Sequence, residues 1–93
     1  MQIGVLEIRL YIPWSHSLKE KRMVVKSIVA KVRHVFNVSV AEIAEQDIHQ
    51  VAVLGVACVS DAASHADSIL DHVLDFIEEN TEAQMVDVQR EIR

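Results

Sequence analysis

VAVLGVACV, residues Val51–Val59, decides the fold. Val51, Val53, Gly55, Ala57 and Val59 share one parity of this stretch, and Ala52, Leu54, Val56 and Cys58 share the other. Side chains of a strand alternate between faces, so a run that is apolar on both parities reads as a central strand covered on both sides. A central strand needs neighbours, and the chain on either side supplies them.

Upstream, Gln46–Gln50 is polar and reads as a turn, preceded by a short strand over Val38–Glu45. Before that, Ser17-Leu18-Lys19-Glu20 has capping-box form: Ser17 can accept from the Glu20 amide, and Glu20 can reach back to the amide of Ser17. Val25, Ile28, Val32 and Val35 then recur at helical spacing, joined by Leu18, Val29 and Phe36. Asn37, tolerant of a left-handed backbone, is the expected stop. Ile3–Ile12 alternates, with Leu6, Ile8, Leu10 and Ile12 on one face and Val5, Glu7, Arg9 and Tyr11 on the other. Pro13 ends this first strand, because proline has no amide to donate to a ladder.

Downstream, Asp61 is an expected N-cap for a second helix whose stripe is Ala62, Ala66, Ile69, Leu70, Val73 and Ile77, ending at Asn80. Thr81–Ile92 closes the chain as a strand, with Val86, Val88 and Ile92 on one parity and Met85, Asp87, Gln89 and Glu91 on the other. Strand-helix-strand, twice over, predicts an α+β fold: a ferredoxin-like βαββαβ domain spanning residues 1–93. Right-handed crossovers place both helices on one face of a four-stranded antiparallel sheet.

Two motifs resemble the YlxP-like family, domain of unknown function 503. One is Ser17-Leu18-Lys19-Glu20-Lys21-Arg22; the other is Phe36-Asn37-Val38-Ser39-Val40-Ala41-Glu42. Leu54-Gly55-Val56-Ala57 and Val59-Ser60-Asp61 continue the similarity, which covers essentially the whole chain. The resemblance implies a ferredoxin-like fold and no established activity. Genes of that family often adjoin translation-initiation and ribosome-maturation genes, an association that points toward RNA or the ribosome.

The chain of 93 residues has room for one domain. Its hydrophobic fraction is 51% without glycine, above the roughly 45–50% that ordinary domains reach with glycine counted. In so small a chain the surplus predicts a subunit interface, and hence a homo-oligomer, most simply a dimer. Cys58 is the single cysteine, so no internal disulfide forms, which fits a reducing compartment. No apolar run reaches the roughly 18 residues of a membrane span, and the N-terminus enters a strand directly. A cytoplasmic location with no membrane contact is expected.

Net charge is -5, which argues against a generally cationic nucleic-acid binder but leaves room for a local basic patch. Lys19, Lys21, Arg22, Lys26, Lys31 and Arg33 crowd the first helix against Glu20 alone. The second helix region carries Asp61, Asp67, Asp71, Asp75, Glu78 and Glu79 with no lysine or arginine. On one reading the two helices attract each other across exposed flanks, in pairs worth only about 0–1 kcal/mol each. On the other, the basic helix binds phosphate backbone. Trp14, just before that helix, either plugs the end of the core or stacks a base beside the cations.

An RRM-type surface needs aromatics on the outer faces of the first and third strands, and Val51–Val59 has none. The open face is expected instead to be an interface, with Val5, Tyr11 and Met85 among its contacts. His65 and His72 are seven apart on one helix, too far for one metal, and the helical zinc spacing is absent. Gly4 and Gly55 are the only glycines, so no glycine-rich phosphate cradle exists. Glu42, in the second family motif, has no role in the hydrophobic pattern. The sequence therefore predicts a noncatalytic binding domain with no cofactor, metal or identified small-molecule ligand. Its favoured partner is RNA or a ribosomal component, bound through Lys19, Lys21, Arg22, Lys26, Lys31, Arg33 and Trp14. The competing classes are a homo-oligomeric protein-interaction module and a small-ligand sensor.

Overall fold

Pattern and structure agree closely on where the elements fall. The computed structural model describes residues 1–93. It holds β1 (Gln2–Tyr11), α1 (Leu18–Val35), β2 (Ser39–Ala44), β3 (Val51–Ser60), α2 (Ala63–Asn80) and β4 (Gln84–Ile92). The strands form one antiparallel sheet in the order β2-β3-β1-β4, as the ferredoxin-like topology requires.

The core is one layer between sheet and helices. Leu6, Ile8, Leu10 and Ile12 are fully buried from the first strand and its end, over the Val25, Ile28 and Val32 stripe of α1 and the Ala66, Leu70, Val73 and Ile77 stripe of α2. β3 is central, as its two-sided apolarity demands, but the helices cover only the face of Ala52, Leu54, Val56 and Cys58. On the other face Val53 is buried, whereas Val59 is 67% exposed. Arg9, the β1 partner of Val53, reaches across it to Glu45 at 4.0 Å.

Element ends differ from expectation for local reasons. Ser17 does accept from the Glu20 amide at 3.1 Å, but the Glu20 carboxylate takes the His16 amide rather than that of Ser17. Asn37 is not left-handed; α1 ends at Val35 because Phe36 turns extended and packs its ring edge-on against Phe76. Val35 is consequently exposed rather than part of the stripe. The N-cap of α2 is Ala62, not Asp61, and no side chain caps the helix; Ser60 accepts from the Ala62 amide at 3.3 Å just before the helix starts at Ala63.

β4 carries a correction. A bulge skips Val86, so Asp87 pairs Arg9 while Met85 pairs Leu10. The extra residue flips the parity. Met85 therefore packs against the helix-side core and leaves the open face to which the sequence assigned it.

Gly4 marks a close approach of β1 to α2. A Cβ there would lie 2.9 Å from Cys58 Sγ and 3.1 Å from Leu70 Cδ1. Overpacking of this kind costs about 1–3 kcal/mol. Gly4→Ala is expected to lower the unfolding free energy by about 1–3 kcal/mol in urea denaturation, seen as a lower midpoint, and its loss should be sub-additive with that of Cys58→Ala, whose smaller side chain makes room.

Candidate functional site

α1 presents two stripes of different chemistry. Lys21 stands on the inward one, at helical spacing with Val25, Ile28 and Val32, and is fully buried. Its methylenes lie in the core and its ammonium meets three oxygens. Nζ donates to Glu45 O at 2.8 Å and Val51 O at 3.0 Å, and lies 2.9 Å from Glu42 Oε2. The Glu42 contact is an ion pair whose angle falls outside hydrogen-bonding geometry, and no other donor reaches that buried oxygen. Lys21 thus leaves the set of nucleic-acid contacts. A cation with no solvent-facing surface cannot meet a phosphate, and its charge is matched within the fold.

The same contact explains Glu42. The two family-like motifs meet here, Lys21 from the first and Glu42 from the second. Glu42 pairs Leu54 on the helix side of the sheet, just before β2 bulges at Ile43. Glu45 follows with φ 58°, the single left-handed residue of the chain. Lys21 binds the carbonyls at both ends of this bulged turn, so it fixes the start of α1 over the β2–β3 connection.

The outward stripe is cationic. Lys19, Arg22, Lys26 and Arg33 follow one another at three-, four- and seven-residue steps, which keeps them on one side of a helix. All four are exposed. Arg33 also donates to the free edge of β2, to Val40 O at 2.9 Å, so the stripe runs over that edge. Lys31 falls off this line, lining a hollow with Phe76 and Asn80 on the side of α2. Trp14 is 41% exposed and does not plug the core; it lies beside Met23, Val24 and Ser27, with Thr81 and Glu82 opposite.

α2 repeats α1 with the charge inverted. The buried positions 21, 25, 28 and 32 recur 45 residues on as 66, 70, 73 and 77. At the same offset Arg22, Lys26 and Arg33 become Asp67, Asp71 and Glu78. The acids overhang the opposite edge of the sheet. There Arg90 of β4 donates to Asp67 and, at 2.6 Å, to Asp71. These bonds, Asp67 first, raise the Arg90 pKa further above its already high ordinary value. Across the helix pair no ion pair forms, so mutual attraction of the two helices is not what holds either charge set. Near the C-terminus, the Arg93 hydrogen bond and charge hold the Glu91 carboxyl below its usual range. A depressed carboxylate lends stability above its unfolded pKa and gives it up as pH falls through the folded one. Both groups are exposed, so screening keeps the effect small.

The open sheet face carries Val5 and Tyr11, as expected, with Gly55, Ala57 and Val59 beside them. Ile43 leans over Gly55, where a Cβ would come within 2.9 Å of its Cγ2. Asp87, Gln89 and Glu91 form a polar rim on the β4 side. A hollow of about 610 Å³ joins this face to Arg33, Asn37 and Ser39. No group of three histidine, cysteine or acidic side chains is placed to hold a metal, and no helix is long and apolar enough to cross a membrane.

Residues 3–90 match the family model described as protein of unknown function DUF503. The chain is 42% identical over 76 residues to the uncharacterized protein YlxP of Bacillus subtilis strain 168, covering 82% of this chain and 83% of that one. Among solved structures, a de novo designed protein with a ferredoxin fold, determined by solution NMR, aligns with a TM-score of 0.57 at 18% identity. That alignment covers all of this chain (100%) and 85% of the designed one, and supports the fold alone.

Removing one partner of a buried ion pair costs about 3–5 kcal/mol, while replacing both with apolar groups is often neutral. Lys21→Met should therefore destabilise by about that amount in chemical denaturation, and Lys21→Met with Glu42→Leu should recover much of the loss.

Proposed function

The chain belongs to the DUF503 family of proteins of unknown function, and on that premise we propose that it is a noncatalytic domain that binds RNA phosphates through the outer flank of α1. One observation carries this reading: Lys19, Arg22, Lys26 and Arg33 stand in a single exposed stripe along an 18-residue helix, with no acid among them. The acids of the domain are sorted away from it. Glu20 is engaged by the His16 amide, Glu42 by Lys21, and Asp67 and Asp71 by Arg90 on the far edge. A net negative domain can hold a phosphate chain when its field is divided in this way. With only four cations, affinity is modest, and docking beside a ribosomal component would strengthen it.

The stripe offers phosphate contacts and few base contacts, so recognition is by backbone and shape. Tyr11 is the only aromatic on the open sheet face, which makes that face a poor stacking platform. The sheet face has a second reading as a subunit interface, favoured by Ile43 and Val59, which stand 51% and 67% exposed there.

Titration of a labelled ribosomal RNA fragment should show binding that weakens with salt, at a slope near 0.7 per phosphate contact for single strands. Lys19→Glu with Arg22→Glu and Lys26→Glu should abolish it. Retention of full affinity by that variant would refute the assignment. Sedimentation equilibrium tests the second reading: self-association should be lost in Val59→Glu, and a monomer at every concentration would dispose of it.

A further inference from the structure

Two hollows lie on either side of the Glu82–Ala83 step between α2 and β4. The first, about 380 Å³, lies between Trp14 and Met23 on one wall and Thr81 and Glu82 on the other. The second, about 600 Å³, continues past Ala83 along β4, with Glu78 and Asp87 on its walls. Their apolar surface is open: Trp14 is 41% exposed, Met23 65% and Val86 52%. An exposed tryptophan flanked by methionine is the composition of a binding hot spot.

The charge of this surface has one sign. Glu78, Glu82 and Asp87 line it, and no lysine or arginine does. Lys31 lines the neighbouring hollow and makes no ion pair. The end of α2 adds to the negative potential. Its last turn holds Glu78 and Glu79 with no basic residue, the reverse of what a helix C-terminus favours. Asn80 donates to Phe76 O at 2.8 Å, but no backbone amide closes onto the carbonyls of Ile77, Glu78, Glu79 and Asn80. Trp14 shares the first hollow with Glu82 and with Asn80 and Thr81 at the end of α2, and Glu78 and Asp87 line the adjoining one.

We propose that this groove binds a basic segment of a partner protein, one that alternates arginine or lysine with apolar side chains. A guanidinium would stack on Trp14 and donate to Glu82 and the open carbonyls of α2. An adjoining apolar side chain would cover Met23 or Val86. None of Lys19, Arg22, Lys26 and Arg33 lines either hollow, so the protein segment and the phosphate chain would use different side chains. This assignment stands on its own observations and survives if the basic stripe binds nothing.

Trp14 is the single tryptophan and reports on the site directly. The full chain is titrated with a synthetic peptide of repeated Arg-Leu-Ser, following Trp14 emission, with a peptide of repeated Arg-Ser-Ser as comparison. Saturable binding is expected, about tenfold weaker for the peptide without leucine. Glu78→Lys with Glu82→Lys should weaken it by a further factor of about ten. Asp61→Lys with Glu91→Lys, the same charge change at the opposite end, should leave it nearly unchanged. Equal weakening by both pairs would mean diffuse attraction and overturn the proposal, as would the absence of saturable binding. Self-association of the unmodified chain that Glu78→Lys with Glu82→Lys abolishes would also overturn it, since the groove would then hold a second copy.

Discussion

A fully buried lysine organises one end of this domain. Removing an ammonium from water is expensive, and it persists only where geometry returns the lost solvation. Lys21 recovers it from the Glu42 carboxylate and from carbonyls at Glu45 and Val51, which come from both sides of the β2–β3 connection. Three consequences follow from that single anchor. The first turn of α1 is fixed to the sheet, the bulged end of β2 is held together with its left-handed Glu45, and a carboxylate beneath the basic helix is neutralised from within.

With its inward charge satisfied, α1 turns a purely cationic flank outward over the β2 edge. α2, built on the same buried spacing, turns an acidic flank over the β4 edge, where Arg90 anchors Asp67 and Asp71. The ferredoxin-like topology makes this separation possible, because the two helices take equivalent places over opposite halves of one sheet. Each flank also overhangs an exposed strand edge. Bulges at Ile43 and Val86 interrupt both edges, a feature that discourages pairing with another sheet. What remains available for recognition is side-chain chemistry: cations on one side, an acidic aromatic groove on another, and an apolar sheet face.

Most of the fold was legible because burial imposes a period. The two-sided run of β3, the alternation of β1 and the stripes of both helices follow directly from which faces meet the core. Lys21 was misplaced because it sits in a run of cations, and charge invites a surface assignment. The signal was present nonetheless: Lys21 falls on the same helical line as Val25, Ile28 and Val32, and Glu42 was the acid without a role. Met85 was misplaced for a different reason. A one-residue bulge in β4 leaves no mark in composition yet exchanges the faces of every residue before it. The cation stripe could be reduced from six residues to four only by knowing which way α1 rolls against the sheet. Trp14 needed the path of its loop, which no periodicity encodes.

The most direct measurement is an amide chemical-shift map of the isotopically labelled protein on addition of a ribosomal RNA fragment. Binding through the α1 flank predicts perturbations confined to residues around Lys19, Arg22, Lys26 and Arg33 and to the adjoining β2 edge, with the amides of α2 and β4 unmoved. Perturbations centred on the open sheet face, or spread evenly over the domain, would contradict it.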